Sequence, residues 1–314
     1  MKNKPYRYGL YLIARFLVFM FRLMPRRTAL ALASGLGSLA FNFLVKERKK
    51  TLNHLRLAYD ESKSEEEINL IASKVFVNCA KSAVDWIFYP RYDKFNWRKI
   101  VLWEDELDRS HRVLALGKGT IFVTAHLGNW EMLAATYSFF GFPLSVVARR
   151  VYYEPYNQWI MKARLSKSLR TIYQDDSPKE LLKAIKANQP IGIVADQDVD
   201  AIGGIFVPFF GHLAYTTTAP AKLSLATGSP IVPIFLIRNE DDTYRILLED
   251  PIFPDSGAEK NQEIERLTRL WSASIEEKVR LFPEQWVWMH RRWKTRPPQE
   301  EVKNVVSPIG EEKR

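Results

Sequence analysis

The sequence has a single cysteine, Cys79, among its 314 residues. One cysteine excludes an internal disulfide and any zinc site built on several cysteines, and it agrees with a reducing compartment. Cys79 shares an apolar helical stripe with Ile68, Ala72 and Val75, which predicts a core position. Three catalytic patterns are also missing: the P-loop GxxxxGKS or GxxxxGKT, the serine elbow GxSxG and the zinc-binding HExxH. No enzyme class that depends on these patterns is therefore indicated.

The N-terminal region lacks a clean apolar run of about 20 residues, the length that a membrane-crossing helix needs. Residues 8–24 are apolar but contain Arg15 and Arg22, and residues 28–45 are uncharged but diluted with glycine, alanine and serine. A cleaved signal peptide is not indicated, since arginine interrupts the first run and no small-residue cleavage site follows it. We predict that residues 1–50 form an uncleaved helical segment that associates with a membrane, either spanning it or lying along it. A buried helix pair in a soluble protein is the alternative.

Acidic residues are fewer than basic residues. The chain has 36 Asp and Glu against 46 Lys and Arg, a formal net charge of +10. A net positive charge suits anionic partners, but charge alone does not indicate which kind of anionic partner is bound. Basic residues flank both apolar N-terminal segments, at positions 2–7, 26–27 and 46–50, as expected for contact with an anionic membrane surface.

Beyond the N-terminal segment, the pattern predicts one catalytic domain over residues 51–296. Ser64 and Glu67 make a capping box that opens a helix, and the region up to Pro90 reads as helical. From about residue 112, short apolar runs alternate with longer amphipathic ones, which predicts an α/β fold with a mixed, largely parallel sheet flanked by helices. The predicted strands are 120–125, 144–147, 170–173, 191–195, 231–237 and 244–248. The charged, proline-containing tail at 297–314 is predicted to be disordered.

Two connecting helices are the clearest, at residues 179–187 and 219–226. For the second helix, Thr218 is placed to cap its start and Gly228 to end it.

The segment around His126 predicts a catalytic site. His126 directly follows a buried strand, at the edge of an α/β sheet where ligands usually bind. Gly128 and Asn129 then turn the chain into a helix, and Asn129 can cap it by accepting from the amide of Glu131 or Met132. Glu131 then lies in the first helical turn, near the strand end that holds His126. We expect the two side chains to meet.

A histidine and a carboxylate so placed suit acyl transfer to a hydroxyl. Neutral imidazole removes the alcohol proton as the oxygen attacks a thioester, and a carboxylate on the other ring nitrogen fixes the tautomer. In this interpretation His126 is the base and Glu131 orients it. The alternatives are a structural histidine and a glutamate that only complements the helix dipole.

Further candidates follow other predicted strands. Asp196 and Asp198 come after the strand at 191–195, and Asp196 is a candidate second carboxylate for orienting His126 or an arginine. Arg149 and Arg150 follow the strand at 144–147, at the same pocket rim, and are candidates for holding phosphate. We expect no metal, since His126, Asp196 and Asp200 do not have a recognisable ligand spacing.

Two aromatic segments each allow two interpretations. Phe209 and Phe210 are candidates for lining an acyl groove, or they are plain core residues. The segment 286–294 mixes tryptophans with basic residues, which is typical of a membrane interface or of a terminal element packed on the core.

These residues carry a family resemblance. The run HLGNWE at 126–131 resembles the HxxxxD/E motif of glycerolipid acyltransferases, in the form typical of the bacterial lipid A late acyltransferases, the lauroyl and myristoyl enzymes. Further segments resemble that family in the same order: Asn53 and Leu55, GIVADQD at 192–198, VPFFG at 207–211, TTTAPAKLSLATGSPIVP at 216–233 and PEQWVWMHRRWK at 283–294. The resemblance covers nearly the whole chain.

The resemblance implies a reaction at the bacterial inner membrane, with the catalytic domain facing the cytoplasm. The donor would be an acyl thioester, with acyl carrier protein expected and coenzyme A the alternative, and no cofactor is expected. The acceptor would be a hydroxyl of a phosphorylated lipid A precursor. Arg164 falls where the family tends to carry an arginine that supports the reaction centre. The proline that commonly follows the family's strand-end arginine is Val151 here, which puts the alignment of Arg149 and Arg150 in doubt.

Other functions remain open on the sequence alone. The acceptor could be another glycolipid, such as a mannosylated phosphatidylinositol, or an aminolipid. His126 could activate water, which would make the protein a thioesterase. A basic binding protein without catalysis is the third alternative; nucleic acid is not the expected partner, and the oligomeric state is not indicated.

Overall fold

The computed structural model describes residues 6–174, 178–199 and 203–297. It begins with four helices: α1 (Tyr6–Arg22), α2 (Arg26–Phe43), α3 (Val45–Tyr59) and α4 (Glu65–Phe88). The capping box at the start of α4 is confirmed, because the Ser64 hydroxyl accepts from the Glu67 amide and the Glu67 carboxylate accepts from the Ser64 amide.

Helix α2 packs along α4. Gly37 permits this close approach, since a Cβ there would lie 2.7 Å from Val77 Cα. At the start of α2, Arg26 Nε donates to the fully buried carboxylate of Asp85 at 2.7 Å. Helix α2 is therefore joined to α4 by a close helix contact and by an ion pair with a buried carboxylate.

A seven-stranded sheet forms the centre. Its strands lie in the order β1-β9-β8-β2-β5-β3-β4, and every neighbouring pair is parallel except β8 and β9. A separate two-stranded antiparallel hairpin consists of β6 and β7. The strands are β1 (Val101–Leu102), β2 (Ile121–Thr124), β3 (Ser145–Ala148), β4 (Arg170–Tyr173), β5 (Ile191–Val194), β6 (Gly204–Phe209), β7 (His212–Thr217), β8 (Ile231–Arg238) and β9 (Tyr244–Leu248).

Helices cover the faces of the sheet. They are α5 (Lys94–Arg98), α6 (Glu106–Leu114), α7 (Trp130–Phe139), α8 (Glu154–Leu165), α9 (Pro178–Lys186), α10 (Ala219–Thr227) and α11 (Lys260–Leu281). The predicted α/β class and largely parallel sheet are confirmed, and all six predicted strands are present with ends shifted by at most one residue. Strand β1 and the β6–β7 hairpin were not predicted.

The second connecting helix, α10, is confirmed with one correction. Gly228 ends it in the left-handed conformation (φ 72°), as predicted. Thr218 does not cap its start, because the hydroxyl instead donates to the Gly203 carbonyl at 3.0 Å.

The C-terminal tryptophans belong to the core. Trp286, Trp288 and Trp293 are buried against Phe209 and Phe210. Of the two interpretations of this segment, a membrane interface or a terminal element packed on the core, the second is therefore correct for the three tryptophans.

Among the described residues, no single helix combines the length and apolarity needed to cross a membrane. Residues 26–43 and 45–62 meet that criterion only together, as a pair bent by 87°. The predicted boundary at residue 50 falls within α3, and the division into domains stays a prediction. Most of the predicted tail, residues 298–314, lies outside the described residues.

Candidate active site

His126 lies just beyond the carboxyl end of β2, where the chain turns into α7. The Val287 amide donates to the His126 carbonyl at 3.0 Å, and the Asn129 amide donates to the Leu236 carbonyl at 3.0 Å. Gly128 is required in this turn, because its φ is 63° and a Cβ would lie 1.9 Å from the Leu236 oxygen. The neighbouring strand β8 and the C-terminal segment therefore hold the histidine backbone in place.

Asp196, rather than Glu131, contacts the imidazole of His126. Its Oδ1 lies 2.7 Å from His126 Nδ1, and its Oδ2 accepts from the His126 amide at 2.8 Å and from Trp286 Nε1 at 2.7 Å. The sheet register explains this contact. Thr124 pairs with Val194 in the parallel strands β2 and β5, and His126 and Asp196 each lie two positions further along the chain. The prediction that Glu131 meets the imidazole is wrong, and of the two candidate carboxylates Asp196 is the one that contacts His126.

The environment of Asp196 keeps it ionised. Burial raises the pKa of this carboxyl, but the facing His126 ring and three hydrogen bonds outweigh burial and hold the pKa well below its usual range. An ionised carboxylate only accepts hydrogen bonds, so the neutral His126 ring carries its hydrogen on Nδ1. Its Nε2 is then left with a lone pair, as a general base requires.

Glu131 pairs with Arg164 of α8 instead. The guanidinium makes a two-pronged contact with the carboxylate, Nε to Oε2 at 3.1 Å and Nη2 to Oε1 at 2.5 Å, and its Nη1 donates to Thr171 Oγ1 at 3.2 Å. Burial lowers the pKa of Arg164, but the charge of Glu131 more than compensates and raises it. A fixed cation therefore lies beside the turn that carries His126.

Three residues near the His126 ring were not among the predicted site residues. The Gln197 amide nitrogen lies 3.4 Å from His126 Nε2 and 3.1 Å from His290 Nε2, and the two histidine rings are 4.5 Å apart. Burial, followed by the nearby His126, lowers the pKa of His290 to about 4. The Trp130 ring meets His126 edge-on at 4.7 Å. Trp130 lies in the HxxxxE motif, Gln197 in the segment GIVADQD and His290 in the basic C-terminal segment, and only the fold brings the three together.

Two cavities adjoin the site. The inner cavity, about 280 Å³, lies between α7 and the sheet and is lined by His126, Gln197 and apolar side chains that include Phe122, Leu133, Ala134, Val146 and Val194. The outer cavity, about 480 Å³, lies between α4 and α8 and is lined by Cys79, Ala83, Trp86, Ile160 and Met161 among others. Both are also lined by the same four residues: Trp130, Glu131, Arg149 and Arg164.

The remaining predicted residues at the rim occupy different positions. Asn129 caps α7 by accepting from the Met132 amide at 3.2 Å, as predicted, and lines the outer cavity. Arg149 is exposed and lines both cavities. Arg150 is also exposed, with its guanidinium 3.8 Å from the centre of the Tyr173 ring.

Asp198, Phe209 and Phe210 are held by structural contacts. Asp198 accepts from the amide and hydroxyl of Thr295 at 2.6 and 2.8 Å, so its carboxylate fixes the C-terminal segment. Phe209 ends β6 and Phe210 follows it in the turn of the hairpin, and both lie in the core, 1% and 3% exposed. The predicted acyl groove at these phenylalanines is wrong. The alternation along β6 buries the Phe209 ring, and the Phe210 ring is buried in the turn between β6 and β7.

No cluster of three or more histidine, cysteine, aspartate or glutamate side chains suitable for a metal occurs within the described ranges. Asp200, which entered the sequence argument, lies outside them. A metal-independent reaction stays a prediction.

Comparison with known proteins identifies the family. Residues 2–295 match the family described as bacterial lipid A biosynthesis acyltransferase. The chain belongs to this family. It is 26% identical over 284 residues to a lipid A biosynthesis lauroyltransferase of Escherichia coli (strain K12), covering 87% of this chain and 88% of the relative.

Two further relatives differ in their named activities. A lipid A biosynthesis palmitoleoyltransferase of Escherichia coli (strain K12) is 23% identical over 282 residues, covering 87% of each chain. A phosphatidylinositol mannoside acyltransferase of Mycolicibacterium smegmatis is 24% identical over 196 residues, covering 60% of this chain and 61% of the relative. The family's acyltransferase activity is therefore shared among relatives with different named lipids.

Proposed function

We propose that this acyltransferase moves a fatty acyl chain from acyl carrier protein to a hydroxyl of a lipid A precursor, with His126 as the general base. The observation that carries the proposal is the contact between Asp196 and His126 Nδ1, which leaves Nε2 as the proton acceptor beside a cavity with apolar walls. Base catalysis of this kind is worth about a hundred- to ten-thousandfold.

The reaction proceeds by direct attack. His126 Nε2 takes the hydroxyl proton as the acceptor oxygen bonds to the thioester carbonyl carbon, and the carbonyl becomes a tetrahedral oxyanion. Collapse of that oxyanion breaks the carbon–sulfur bond, and the departing thiolate takes the proton from Nε2. The products are the ester and the free thiol, with no acyl-enzyme and no cofactor.

Arg164 is proposed to stabilise charge at the reaction centre, on the oxyanion or on an acceptor phosphate. It lines both cavities, and Glu131 fixes its orientation through two hydrogen bonds. Glu131 thereby keeps a place in the mechanism as the residue that positions Arg164. Arg149 and Arg150, exposed at the same rim, are proposed to hold phosphate.

The N-terminal helices are proposed to bind the inner membrane, with the catalytic residues on the cytoplasmic side. Large apolar side chains of α1 are exposed, among them Leu10, Ile13, Phe16 and Leu17 at 52% to 62%. An exposed apolar surface of this kind is typical of a membrane contact. The net charge of +10 suits both an anionic membrane and an acidic carrier protein.

A mannosylated phosphatidylinositol is the second candidate acceptor, favoured by the similarity to the mycobacterial relative. Lipid A precursor is preferred because similarity to the lipid A enzymes extends over 87% of the chain. In the test, purified protein is mixed with acyl carrier protein that bears a labelled acyl chain, and with one acceptor or the other. Transfer to the lipid A precursor supports the proposal, transfer only to the mannoside changes the acceptor, and labelled free fatty acid without any ester indicates a thioesterase.

A further inference from the structure

The outer cavity is an apolar space that the proposed chemistry does not use. Its walls come from α4 (Cys79, Ala83 and Trp86) and from α8 (Ile160 and Met161). At about 480 Å³ it has the size of a small-molecule site and exceeds the inner cavity, which holds the His126 ring in its wall. Apolar walls of this extent are the kind of surface that a hydrocarbon chain covers.

The outer cavity adjoins the inner one, whose wall carries His126. Trp130, Glu131, Arg149 and Arg164 line both, so a ligand in either cavity reaches the same group of residues. Two hydrocarbon chains can therefore approach one reacting centre from separate spaces.

The outer cavity is also next to α1. The Tyr11 ring of α1 meets Tyr156 of α8 edge-on at 5.4 Å, and the Arg15 guanidinium lies 5.8 Å from the centre of the Trp159 ring. Trp159 in turn contacts Trp86 in the cavity wall, with ring centres 5.4 Å apart. A lipid drawn from a membrane that α1 touches would meet this cavity first.

The charge at the rim is net positive and favours an anionic amphiphile, because two guanidinium groups, those of Arg149 and Arg164, accompany the single carboxylate of Glu131. Arg149 is exposed where the cavities join, and Arg164 of α8, which is paired with Glu131, also lines both cavities. A hydrocarbon chain in the outer cavity would place its headgroup beside these guanidinium groups, which bind phosphate well.

We infer that the outer cavity holds a hydrocarbon chain of the phosphorylated acceptor lipid, while the inner cavity takes the acyl chain of the donor. The inference rests on the proposed function. It assigns Ala83 on α4 to acceptor binding and Ala134 on α7 to the choice of donor chain length.

These two alanines provide a matched pair of variants. Each lies in a helix, where leucine is nearly as favourable as alanine, and each replacement adds three carbons to one cavity wall. Ala83→Leu is expected to raise KM for the acceptor about tenfold, with the donor chain preference unchanged. Ala134→Leu is expected to shift the donor preference to shorter chains, with KM for the acceptor unchanged. The measurement is the initial rate of full-length enzyme with carrier-bound donors of several chain lengths.

Alkylation of Cys79, the sole cysteine, gives a readout that does not need turnover. A tetra-acylated lipid A precursor in detergent micelles is expected to slow its alkylation by N-ethylmaleimide at least fivefold beyond micelles alone, and Ala83→Leu to weaken that protection. Equal protection by empty micelles, an unchanged acceptor KM in Ala83→Leu, or a donor shift in that variant would each overturn the inference. Failure of the wild type to acylate any lipid would instead contradict the proposed function. The wild-type assay shows this before either variant is made, so the two failures can be told apart.

Discussion

Replacing Asp196 with asparagine isolates the electrostatic part of the proposed mechanism. The carboxylate is 1% exposed, and its Oδ1 lies 2.7 Å from His126 Nδ1. When His126 accepts the hydroxyl proton, the imidazolium gains the attraction of this carboxylate. At an effective dielectric constant of about 20, two charges about 4 Å apart attract by about 4 kcal/mol. Since each 1.36 kcal/mol is tenfold in rate, Asp196→Asn is expected to lower kcat about a thousandfold.

The assay is transfer of labelled acyl chains at saturating acceptor, with wild type and variant matched for thermal midpoint. Asp198→Asn is the matched control, because that carboxylate lies two residues away but accepts only from Thr295 among the described residues. The control is expected to keep kcat within about threefold, since it leaves the imidazole contact intact.

A folded Asp196→Asn variant that retained more than a tenth of wild-type kcat would refute this reasoning. The refutation would be complete if Glu131→Gln lost a thousandfold in the same assay while Arg164→Ala lost little. That pattern would show that Glu131 acts on the histidine, independently of the arginine that it contacts in the structure.

Three further predictions concern neighbouring groups. Arg164→Lys loses the two-pronged contact with Glu131, so kcat is expected to fall at least tenfold in initial-rate assays, and an unchanged kcat would contradict the proposed role. Burial lowers the pKa of His290 from 6.5 to about 4, so the folded protein takes up this proton less readily than the unfolded chain. The stability from this group is fully present above about pH 6.5 and is lost as the pH falls towards 4, by at most about 3 kcal/mol. His290→Gln is therefore expected to lose less stability than wild type between pH 7 and 5 in urea unfolding, and equal losses would argue against this source. Burial raises the pKa of Cys79 to about 11, which disfavours a thiolate nucleophile. Cys79→Ala is expected to keep kcat within about twofold, and mass spectrometry of quenched turnover is expected to find no acylated protein; an acyl adduct would contradict direct attack.

The sheet could be predicted because its strands are short, continuous apolar runs. Strands β8 and β2 are buried along their whole length, which is typical of strands covered on both faces. The β6–β7 hairpin was missed since VPFFG was interpreted as a pocket lining. Its turn places Phe210 at φ 52° and Gly211 at φ 74°, a local conformation that buries both neighbouring rings.

The partner of His126 depended on register, which the sequence does not show. His126 and Asp196 each lie two residues beyond a strand, but they meet only because Thr124 and Val194 pair in parallel. Glu131 is close to His126 in sequence, which made it the obvious candidate. The side chain turns towards Arg164, 33 residues away, and no local pattern indicates that pairing.

The most direct test of the central claim compares wild type with His126→Ala for acyl transfer from acyl carrier protein to a tetra-acylated lipid A precursor. The account predicts ester formation by wild type and a loss of at least about a hundredfold in the variant, the lower bound for removing a general base. A folded, lipid-bound His126→Ala variant with activity within tenfold of wild type would contradict it.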